Sequence, residues 1–326
     1  MRDFMADIRK PIEAEMKRFE ALFNDALSHT DGTLAMALNY ICQRTGKRMR
    51  PMLTVLMAKA FGEVNDRTYR SGIALELLHT ASLLHDDVVD KADKRRGQRS
   101  LNSVYDNRVA VLVGDYIISA ALLNVAATNS IEILECVSVL AQKLSNGEIL
   151  QITSNGSKTI SEETYYDVIR QKTGALFEAC CVVGALSVNA SLEDIEKARE
   201  FGSKVGTIFQ IRDDIFDYFD SEEIGKPTGN DMAEGKLTLP AIHAVLTNGD
   251  EEIMAIAQRV KSLDSTPEDR ARLVAFSKQN GGIEYAEKVM HRLHDDALCF
   301  VNERVGDADV KNSLTAYLNY CINRSF

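Results

Sequence analysis

The feature that most constrains this chain is a long stretch without proline. The 326 residues contain five prolines, and none lies between Pro51 and Pro227. Strand-rich folds need frequent turns, whereas proline breaks the interior of a helix, so sparse proline favours long helices. Hydrophobic residues make up 45% of the chain, which is enough for a sizeable core. The sequence therefore predicts an all-α fold, and the lack of a linker or repeat predicts a single helical domain over residues 1–326.

Three segments have the apolar spacing of buried helices. Residues 72–84 are apolar on nearly every side, which predicts a central helix that is buried all round. Residues 109–127 and 163–188 have a similar pattern, with small residues that permit close helix approach. Thr266, followed by a proline and two acids, predicts the start of a later helix.

The charge balance and the cysteines limit the class of protein. The chain has 38 basic and 48 acidic residues, a formal net charge of −10, which argues against nucleic-acid binding. Its six cysteines are scattered, a pattern typical of free thiols in a reducing compartment. Neither a signal peptide nor an apolar run of membrane-spanning length is evident. We therefore expect a cytoplasmic protein without a membrane span.

Two clusters of aspartates share the pattern D-D-x-x-D. They are Asp86-Asp87-Val88-Val89-Asp90 and Asp213-Asp214-Ile215-Phe216-Asp217. At about 100° per residue, the three carboxylates of each cluster lie on one face of a helix and repel one another unless a cation is bound. Oxygen ligands suit Mg²⁺, which often bridges carboxylates and substrate phosphates. A solvated charged face is the alternative, but apolar residues precede both clusters, so we interpret them as metal sites.

Basic residues lie close to the clusters and next to helix breakers. The segments 46–51 and 95–97 combine lysine or arginine with glycine, and Lys172 and the segment 226–236 add further donors. Arginine binds phosphate with two parallel hydrogen bonds, and lysine supplies a point charge. The acidic clusters suit magnesium, and the basic residues suit phosphate. Together with an apolar helical core, they predict a diphosphate substrate with an apolar tail.

Several motifs occur in an order that resembles a known family. The motifs are Gly46-Lys47-Arg48-Met49-Arg50-Pro51, Leu83-Leu84-His85 before the first cluster, Arg95-Arg96-Gly97, Val113-Gly114-Asp115-Tyr116, Phe209-Gln210-Ile211-Arg212 before the second cluster, and Gly225-Lys226-Pro227-Thr228. The chain is similar to the all-trans polyprenyl diphosphate synthases. That resemblance implies antiparallel helices around a deep central cavity, with the two Asp-rich helices facing each other across its mouth, and a homodimer.

The resemblance also implies roles for individual residues. The Mg²⁺ ligands would be Asp86, Asp87, Asp90, Asp213, Asp214 and Asp217. The allylic prenyl diphosphate would be held with the help of Arg95, Lys172, Lys226 and Lys236, and isopentenyl diphosphate by Lys47, Arg50, His79 and Arg96. Thr173 and Gln210 would lie along the reacting face and stabilise a carbocation, which isopentenyl diphosphate attacks before a proton is lost.

The length of the product is a steric question. In short-chain members of the family a bulky aromatic residue four or five positions before the first aspartate blocks the tunnel, whereas here Ala81 and Ser82 are small. We expect a long-chain product, octaprenyl-like or longer, of the kind used for quinone side chains, made from a farnesyl or geranylgeranyl primer. Leu78, Leu122 and Leu123 are alternative candidates for the tunnel floor. A shorter-chain synthase is the alternative reading.

Other functions fit the sequence less well. A terpene cyclase shares the first cluster but seldom the second, and a silent partner subunit need not keep both clusters intact. A di-iron helical-bundle oxidase needs two Glu-x-x-His motifs, and the chain has one, which starts at Glu76. Two details stay open: Gln98-Arg99 replaces the Lys-Pro of many relatives, and the role of Asp93 is undefined.

Overall fold

The computed structural model describes residues 4–43, 46–95, 97–155, 159–219 and 228–324. Helices dominate these residues, which confirms the predicted all-α class. The α-helices are α1 (Phe4–Arg9), α2 (Glu13–Ala26), α3 (Gly32–Cys42), α4 (Met49–Phe61), α5 (Asp66–Val89), α6 (Leu101–Val104), α7 (Asn107–Ala126), α8 (Ile131–Asn155), α9 (Glu162–Ile169), α10 (Ala175–Ser187), α11 (Leu192–Phe216), α12 (Asn230–Ala233), α13 (Leu239–Asn248), α14 (Glu251–Lys261), α15 (Pro267–Gln279), α16 (Gly282–Arg304) and α17 (Ala308–Asn323).

Four short elements complete the described secondary structure. Strands β1 (Lys94–Arg95) and β2 (Gln98–Arg99) form an antiparallel hairpin in which Lys94 pairs with Arg99. A 3₁₀ turn, Lys10–Ile12, joins α1 to α2. A π-helical turn, Arg170–Gly174, joins α9 to α10.

The chain divides into two compact units, each made of three stretches. Unit 1 contains Met1–Ala141, Leu176–Gly202 and Phe300–Tyr317, and unit 2 contains Gln142–Ala175, Ser203–Cys299 and Leu318–Phe326. The first aspartate cluster belongs to unit 1 and the second to unit 2. The single domain over residues 1–326 and the facing of the two Asp-rich helices stay predictions.

Helix α5 forms the centre of unit 1. It begins with a capping box, in which the side chain of Asn65 accepts from the backbone of Thr68 and the Thr68 side chain accepts in return. Its residues from 71 to 78 are buried without interruption, so the prediction of a helix buried all round is confirmed. Gly184 of α10 permits close packing on α4, because a Cβ atom there would lie 2.6 Å from the carbonyl oxygen of Thr54.

Helix α7 differs from the prediction of a buried helix. Its inner face packs against α5 through residues such as Ile117 and Ala121, but its outer face exposes Leu112, Leu122 and Leu123, the last of them by 73%. By length and composition alone it is the one described helix that could cross a membrane, and 33% of its apolar stretch is buried. The sequence analysis missed this run because Arg108 and Asp115 interrupt the segment.

The predicted helix over residues 163–188 is divided at its middle, between α9 in unit 2 and α10, most of which belongs to unit 1. Helix α9 ends at Ile169, and the π-helical turn shifts the register before α10 begins. Such turns often occur at functional sites, and this one carries Lys172 and Thr173. The predicted helix start at Thr266 is confirmed: its side chain accepts from the backbone of Asp269, whose own side chain completes the capping box.

Candidate active site

The aspartates of the first cluster do not share one environment. Helix α5 ends at Val89, so Asp90 lies just beyond it and is exposed, whereas Asp86 is half-buried. Asp87 is only 1% exposed, and its Oδ1 accepts a hydrogen bond from Nε of Arg95 at 2.6 Å. Among the described residues, Oδ2 of Asp87 has no hydrogen-bond partner although it is buried. The three carboxylates of this cluster therefore differ in burial and in partners, and their shared role as metal ligands stays a prediction.

Two arginines at the start of α4 have different surroundings. Arg48 forms an ion pair with Glu76 at 2.9 Å, which occupies its charge within unit 1. The guanidinium of Arg50 lies 5.0 Å from the centre of the Phe177 ring. Its Nε is buried and has no hydrogen-bond partner among the described residues, so it suits an anionic ligand. Of the other residues predicted to bind isopentenyl diphosphate, Lys47 is exposed, His79 is half-buried, and Arg96 lies outside the described residues.

The residues predicted to control product length lie one turn before the first cluster. Ala81 is completely buried, Ser82 is half-buried, and Leu78 is buried on the same helix. Of the other two candidate floor residues, Leu122 and Leu123, both lie on the exposed face of α7 in unit 1. Within unit 1, Leu78 is therefore the buried member of the three.

The second aspartate cluster also separates into three environments. Asp214 is 3% exposed, and both of its oxygens accept hydrogen bonds: Oδ2 from the Tyr165 hydroxyl at 2.6 Å and Oδ1 from Nε2 of Gln210 at 2.8 Å. The amide oxygen of Gln210 in turn accepts from the Thr173 hydroxyl at 2.7 Å. Burial, followed by the nearby carboxylate of Asp231, raises the pKa of Asp214 to about 8, although its two hydrogen bonds act in the opposite direction.

Asp217 serves as an acceptor for backbone groups. Helix α11 ends at Phe216, so Asp217 lies just beyond it, as Asp90 does in the first cluster. Its two oxygens accept from the backbone N–H groups of Asn230 and Asp231, each at 3.0 Å. These bonds hold the start of α12 at the end of α11.

Asp213 contacts a cation near the end of the chain. Its side chain is 43% exposed, and Oδ1 accepts a hydrogen bond from Arg324 at 2.5 Å. The three aspartates thus contact a cation, a buried polar chain and a backbone terminus respectively. A helical wheel does not show these differences because they arise from other elements of unit 2.

The predicted lysines of unit 2 contact acidic side chains. Nζ of Lys172 lies 2.5 Å from Oε2 of Glu148 and 3.3 Å from the side-chain oxygen of Gln151. Nζ of Lys236 lies 2.5 Å from Oε2 of Glu234. Lys226 lies outside the described residues.

A cavity of about 180 Å³ in unit 2 brings most of these groups together. Its apolar wall includes Val168, Ile169 and Ile242. Its polar lining contains five residues predicted from the sequence, Lys172, Thr173, Gln210, Asp214 and Lys236, and two that were not, Tyr165 and Asp231. No local motif marks the last two, since they lie eight residues before Thr173 and 14 after Asp217 and reach the cavity only through folding.

The donor atoms of the two clusters fit a magnesium ion held jointly with a substrate. Within the described ranges, no group of three or more His, Cys, Asp or Glu side chains is arranged to hold a metal. Magnesium, however, commonly binds one or two carboxylates together with substrate phosphates and water. The buried, unpartnered Oδ2 of Asp87 and the accessible Asp213 match that mode better than a closed cage of protein ligands.

An all-α fold with two aspartate clusters and nearby basic residues is typical of a class of transferases that act on diphosphates. Residues 31–275 match the polyprenyl synthetase family, and the chain belongs to this family. It is accordingly an enzyme, a prenyltransferase.

Named relatives and solved structures agree on the family but differ in product. The octaprenyl diphosphate synthase of Escherichia coli is 38% identical over 68% of this chain and 69% of its own length, and that of Haemophilus influenzae is 34% identical over 88% and 87%. A crystal structure of geranylgeranyl pyrophosphate synthase from Bacteroides thetaiotaomicron is 43% identical, with a TM-score of 0.87 over 99% of this chain and all of that one. A decaprenyl diphosphate synthase from Rhodobacter capsulatus is 31% identical, with a TM-score of 0.90 over 98% of both chains.

Proposed function

We propose that this prenyltransferase adds isopentenyl diphosphate repeatedly to a farnesyl or geranylgeranyl diphosphate primer and releases a long-chain all-trans polyprenyl diphosphate. The observation that carries the proposal is the cavity of unit 2, where the Thr173–Gln210–Asp214 chain lies beside Lys172 and Lys236. An apolar wall, two cations and inward oxygen atoms suit a diphosphate with a hydrocarbon tail. The octaprenyl diphosphate synthases among the relatives support the same reaction.

The residues act first on the allylic diphosphate. Lys172, Lys226, Lys236 and Arg95 neutralise its charge, and the carbon–oxygen bond breaks with both electrons leaving on the diphosphate. Magnesium, when bound, supplies further stabilisation of that leaving group. The oxygens of Thr173 and Gln210 face the allylic carbons and stabilise the positive charge.

The second substrate then supplies the new bond. Lys47, Arg50, His79 and Arg96 hold isopentenyl diphosphate, and its double bond attacks the cation to form a carbon–carbon bond. The released diphosphate removes a proton from the adduct, which restores neutrality and fixes the trans double bond. The unpartnered Nε of Arg50 supports an anion at this position.

A long product is favoured by Ala81, a small side chain at the buried position of α5 where a bulky residue would shorten the product. A second candidate is a shorter-chain synthase, which the 43% identity to a geranylgeranyl pyrophosphate synthase supports. The purified chain, incubated with Mg²⁺, labelled isopentenyl diphosphate and each primer, is expected to give dephosphorylated alcohols longer than geranylgeraniol. Geranylgeraniol alone supports the second candidate, a diphosphate-free hydrocarbon indicates a cyclase, and no incorporation contradicts the proposal.

The proposed role of Asp213 as a magnesium ligand is tested by comparison with an aspartate outside the two clusters. We expect Asp213→Asn to raise the Mg²⁺ concentration needed for half-maximal activity and to lower turnover by about 100-fold, because a carboxylate that faces the metal is lost. Asp295→Asn is the control, since Asp295 belongs to an acidic pair of α16 that lacks the third acid. Equal metal dependence in the two variants counts against the metal assignment.

We infer that two copies associate through the exposed apolar face of unit 1. Leu112, Leu122 and Leu123 of α7 and Ile131 and Leu134 of α8 form this face. Apolar patches of this kind mark interaction surfaces, and a second copy offers a matching patch. One relative, 34% identical, is named heptaprenyl diphosphate synthase component 2, so a different partner is the alternative. A cytoplasmic location stays a prediction.

Light scattering tests the association. The wild type is expected to have the mass of a dimer, and Leu123→Glu that of a monomer. Leu192→Glu, at an exposed leucine that begins α11, is expected to stay dimeric. A monomeric wild type contradicts the homodimer.

A further inference from the structure

Tyr165 is a buried tyrosine that lines the cavity of unit 2. No sequence motif marks it. It lies on α9, and its hydroxyl donates to Oδ2 of Asp214 at 2.6 Å. Through Asp214 it is the outer end of a continuous hydrogen-bonded chain that reaches Gln210 and Thr173. All four side chains line the same cavity.

We propose that Tyr165, acting through Asp214, is a positioning residue that fixes the side-chain amide of Gln210 with its oxygen towards Thr173. The proposal rests on the function proposed above, in which Gln210 and Thr173 stabilise the allylic cation. It also assigns Asp214 a different task from Asp213, namely orientation of a neighbour instead of metal binding.

The chemistry of the amide explains why its orientation matters. An amide presents a donor at one end and an acceptor at the other. Asp214 accepts from Nε2 of Gln210 at 2.8 Å, so the oxygen of the same amide points away from the carboxylate and towards Thr173. A reversed amide would place two oxygens against each other in a buried site, which costs free energy.

The direction of the last hydrogen bond has a consequence for the reacting face. The Thr173 hydroxyl donates its only proton to Gln210, so its lone pairs remain for other contacts. The oxygen of Gln210 likewise has a second lone pair. The Thr173 hydroxyl oxygen and the Gln210 amide oxygen thereby present acceptor lone pairs, which is the polarity that stabilises a developing cation.

The burial of Asp214 explains why Tyr165 is needed. Asp214 is 3% exposed, so removal of the tyrosine hydroxyl takes away one of the two protein partners of a buried carboxylate. With the hydroxyl present, both oxygens of Asp214 have protein partners, and the carboxylate is fixed at both ends. A carboxylate held by two bonds restrains Gln210 more strongly than one that is free to rotate.

The test compares two adjacent tyrosines. We expect Tyr165→Phe to lower kcat by about tenfold, because the cation-stabilising groups lose their orientation, while the KM values of both substrates and the Mg²⁺ dependence change by less than about twofold. Tyr166→Phe is the matched control and keeps wild-type kcat, since the Tyr166 ring packs edge-on against Tyr165 and lies outside the cavity lining. Wild-type kcat in Tyr165→Phe overturns the proposal.

Substitutions of Asp214 separate positioning from metal binding. Asparagine has the shape of aspartate, and its amide accepts from Gln210 and donates to the Tyr165 oxygen, so Asp214→Asn should retain more turnover than Asp214→Leu. Binding of Mn²⁺ in the presence of inorganic diphosphate, followed by electron paramagnetic resonance, should be unchanged in Asp214→Asn. Weakened Mn²⁺ binding identifies Asp214 as a metal ligand and overturns the proposal.

A measurement that does not depend on catalytic activity tests this proposal separately from the proposed function. The side-chain amide protons of Gln210 should exchange faster with solvent in Tyr165→Phe than in the wild type, as measured by nuclear magnetic resonance. Unchanged exchange contradicts the positioning role. A wild type that is inactive with isopentenyl diphosphate and a primer, yet shows the faster exchange in the variant, contradicts the proposed function alone.

Discussion

Arg324 and Asp213 form an ion pair in unit 2, with a terminal guanidinium nitrogen 2.5 Å from Oδ1 of the carboxylate. The same nitrogen donates to the carbonyl oxygen of Phe209 at 2.9 Å, and the guanidinium lies 3.7 Å from the centre of the Phe209 ring. Arg324 follows the last residue of α17. A protein cation therefore contacts an aspartate that is 43% exposed and that is proposed to bind the metal.

Replacement of Arg324 should alter the metal dependence. A guanidinium and Mg²⁺ both seek the negative charge of Asp213, so the two compete. We expect Arg324→Met to lower the Mg²⁺ concentration for half-maximal activity by about threefold, since methionine keeps the apolar contact and removes the charge. Arg272→Met, which removes an exposed ion pair with Glu252, should leave it unchanged. A higher Mg²⁺ requirement in Arg324→Met contradicts this competition.

Enlargement of Ala81 should shorten the product. Its side chain is completely buried on α5, so a phenyl ring must displace the packed neighbours. Under the proposed function, this reduces the space for the growing tail. We expect Ala81→Phe to give shorter dephosphorylated products by chromatography while the first condensation continues. Ala271→Phe, at an exposed position of α15, should leave the product lengths unchanged. Unchanged lengths in Ala81→Phe rule out a tunnel beside this residue.

A methyl group at Gly184 should destabilise unit 1. The added carbon lies 2.6 Å from the Thr54 carbonyl oxygen and 3.0 Å from Cβ of Met57, so α10 and α4 must move apart. We expect Gly184→Ala to lower the free energy of unfolding by about 1–3 kcal/mol, measured as a lower Tm. Gly306→Ala is the control, because no atom lies within 4 Å of its added carbon. Equal Tm values show that the helices adjust without cost.

The ion pair between Asp269 and Arg259 should make the stability of the protein depend on pH in the acidic range. Both guanidinium contacts, at 2.9 and 2.5 Å, lower the pKa of Asp269 from 3.8 to about 2. Because the folded-state pKa is depressed, the stabilisation is present above pH 4 and is lost as the pH falls towards 2. The Tm difference between the wild type and Asp269→Asn should therefore shrink over that interval. A constant difference contradicts the linkage.

The spacing of residues was sufficient for the fold class and for part of the site. The helix of residues 71 to 78 and the start at Thr266 follow from local apolar spacing and capping chemistry, which are properties of neighbouring residues. Lys172, Thr173 and Gln210 were found by resemblance, and the structure places them on one cavity. Tyr165 escaped because its partner, Asp214, is 49 residues away.

Two features could not be predicted from local spacing, for different physical reasons. A helical wheel treats the five residues of each aspartate cluster alike, but α5 ends at Val89 and α11 at Phe216. Negative side chains are unfavourable at a helix C-terminus, where the backbone carbonyls already carry partial negative charge. The outer face of α7 was misjudged because an apolar residue has the same signature whether it faces a core or a surface that awaits a partner.

By itself, the sequence determined that the chain is helical and that its chemistry concerns acids, bases and a diphosphate. Residue types and their spacing carry this information because helix propensity and ligand preference are local properties. Only the tertiary structure decided the partner of each aspartate. Asp213 forms an ion pair with an arginine, Asp214 accepts hydrogen bonds from a tyrosine and an amide, and Asp217 accepts from backbone N–H groups at the start of a helix. Those partners come from distant parts of the chain, and burial then fixes the direction of each hydrogen bond.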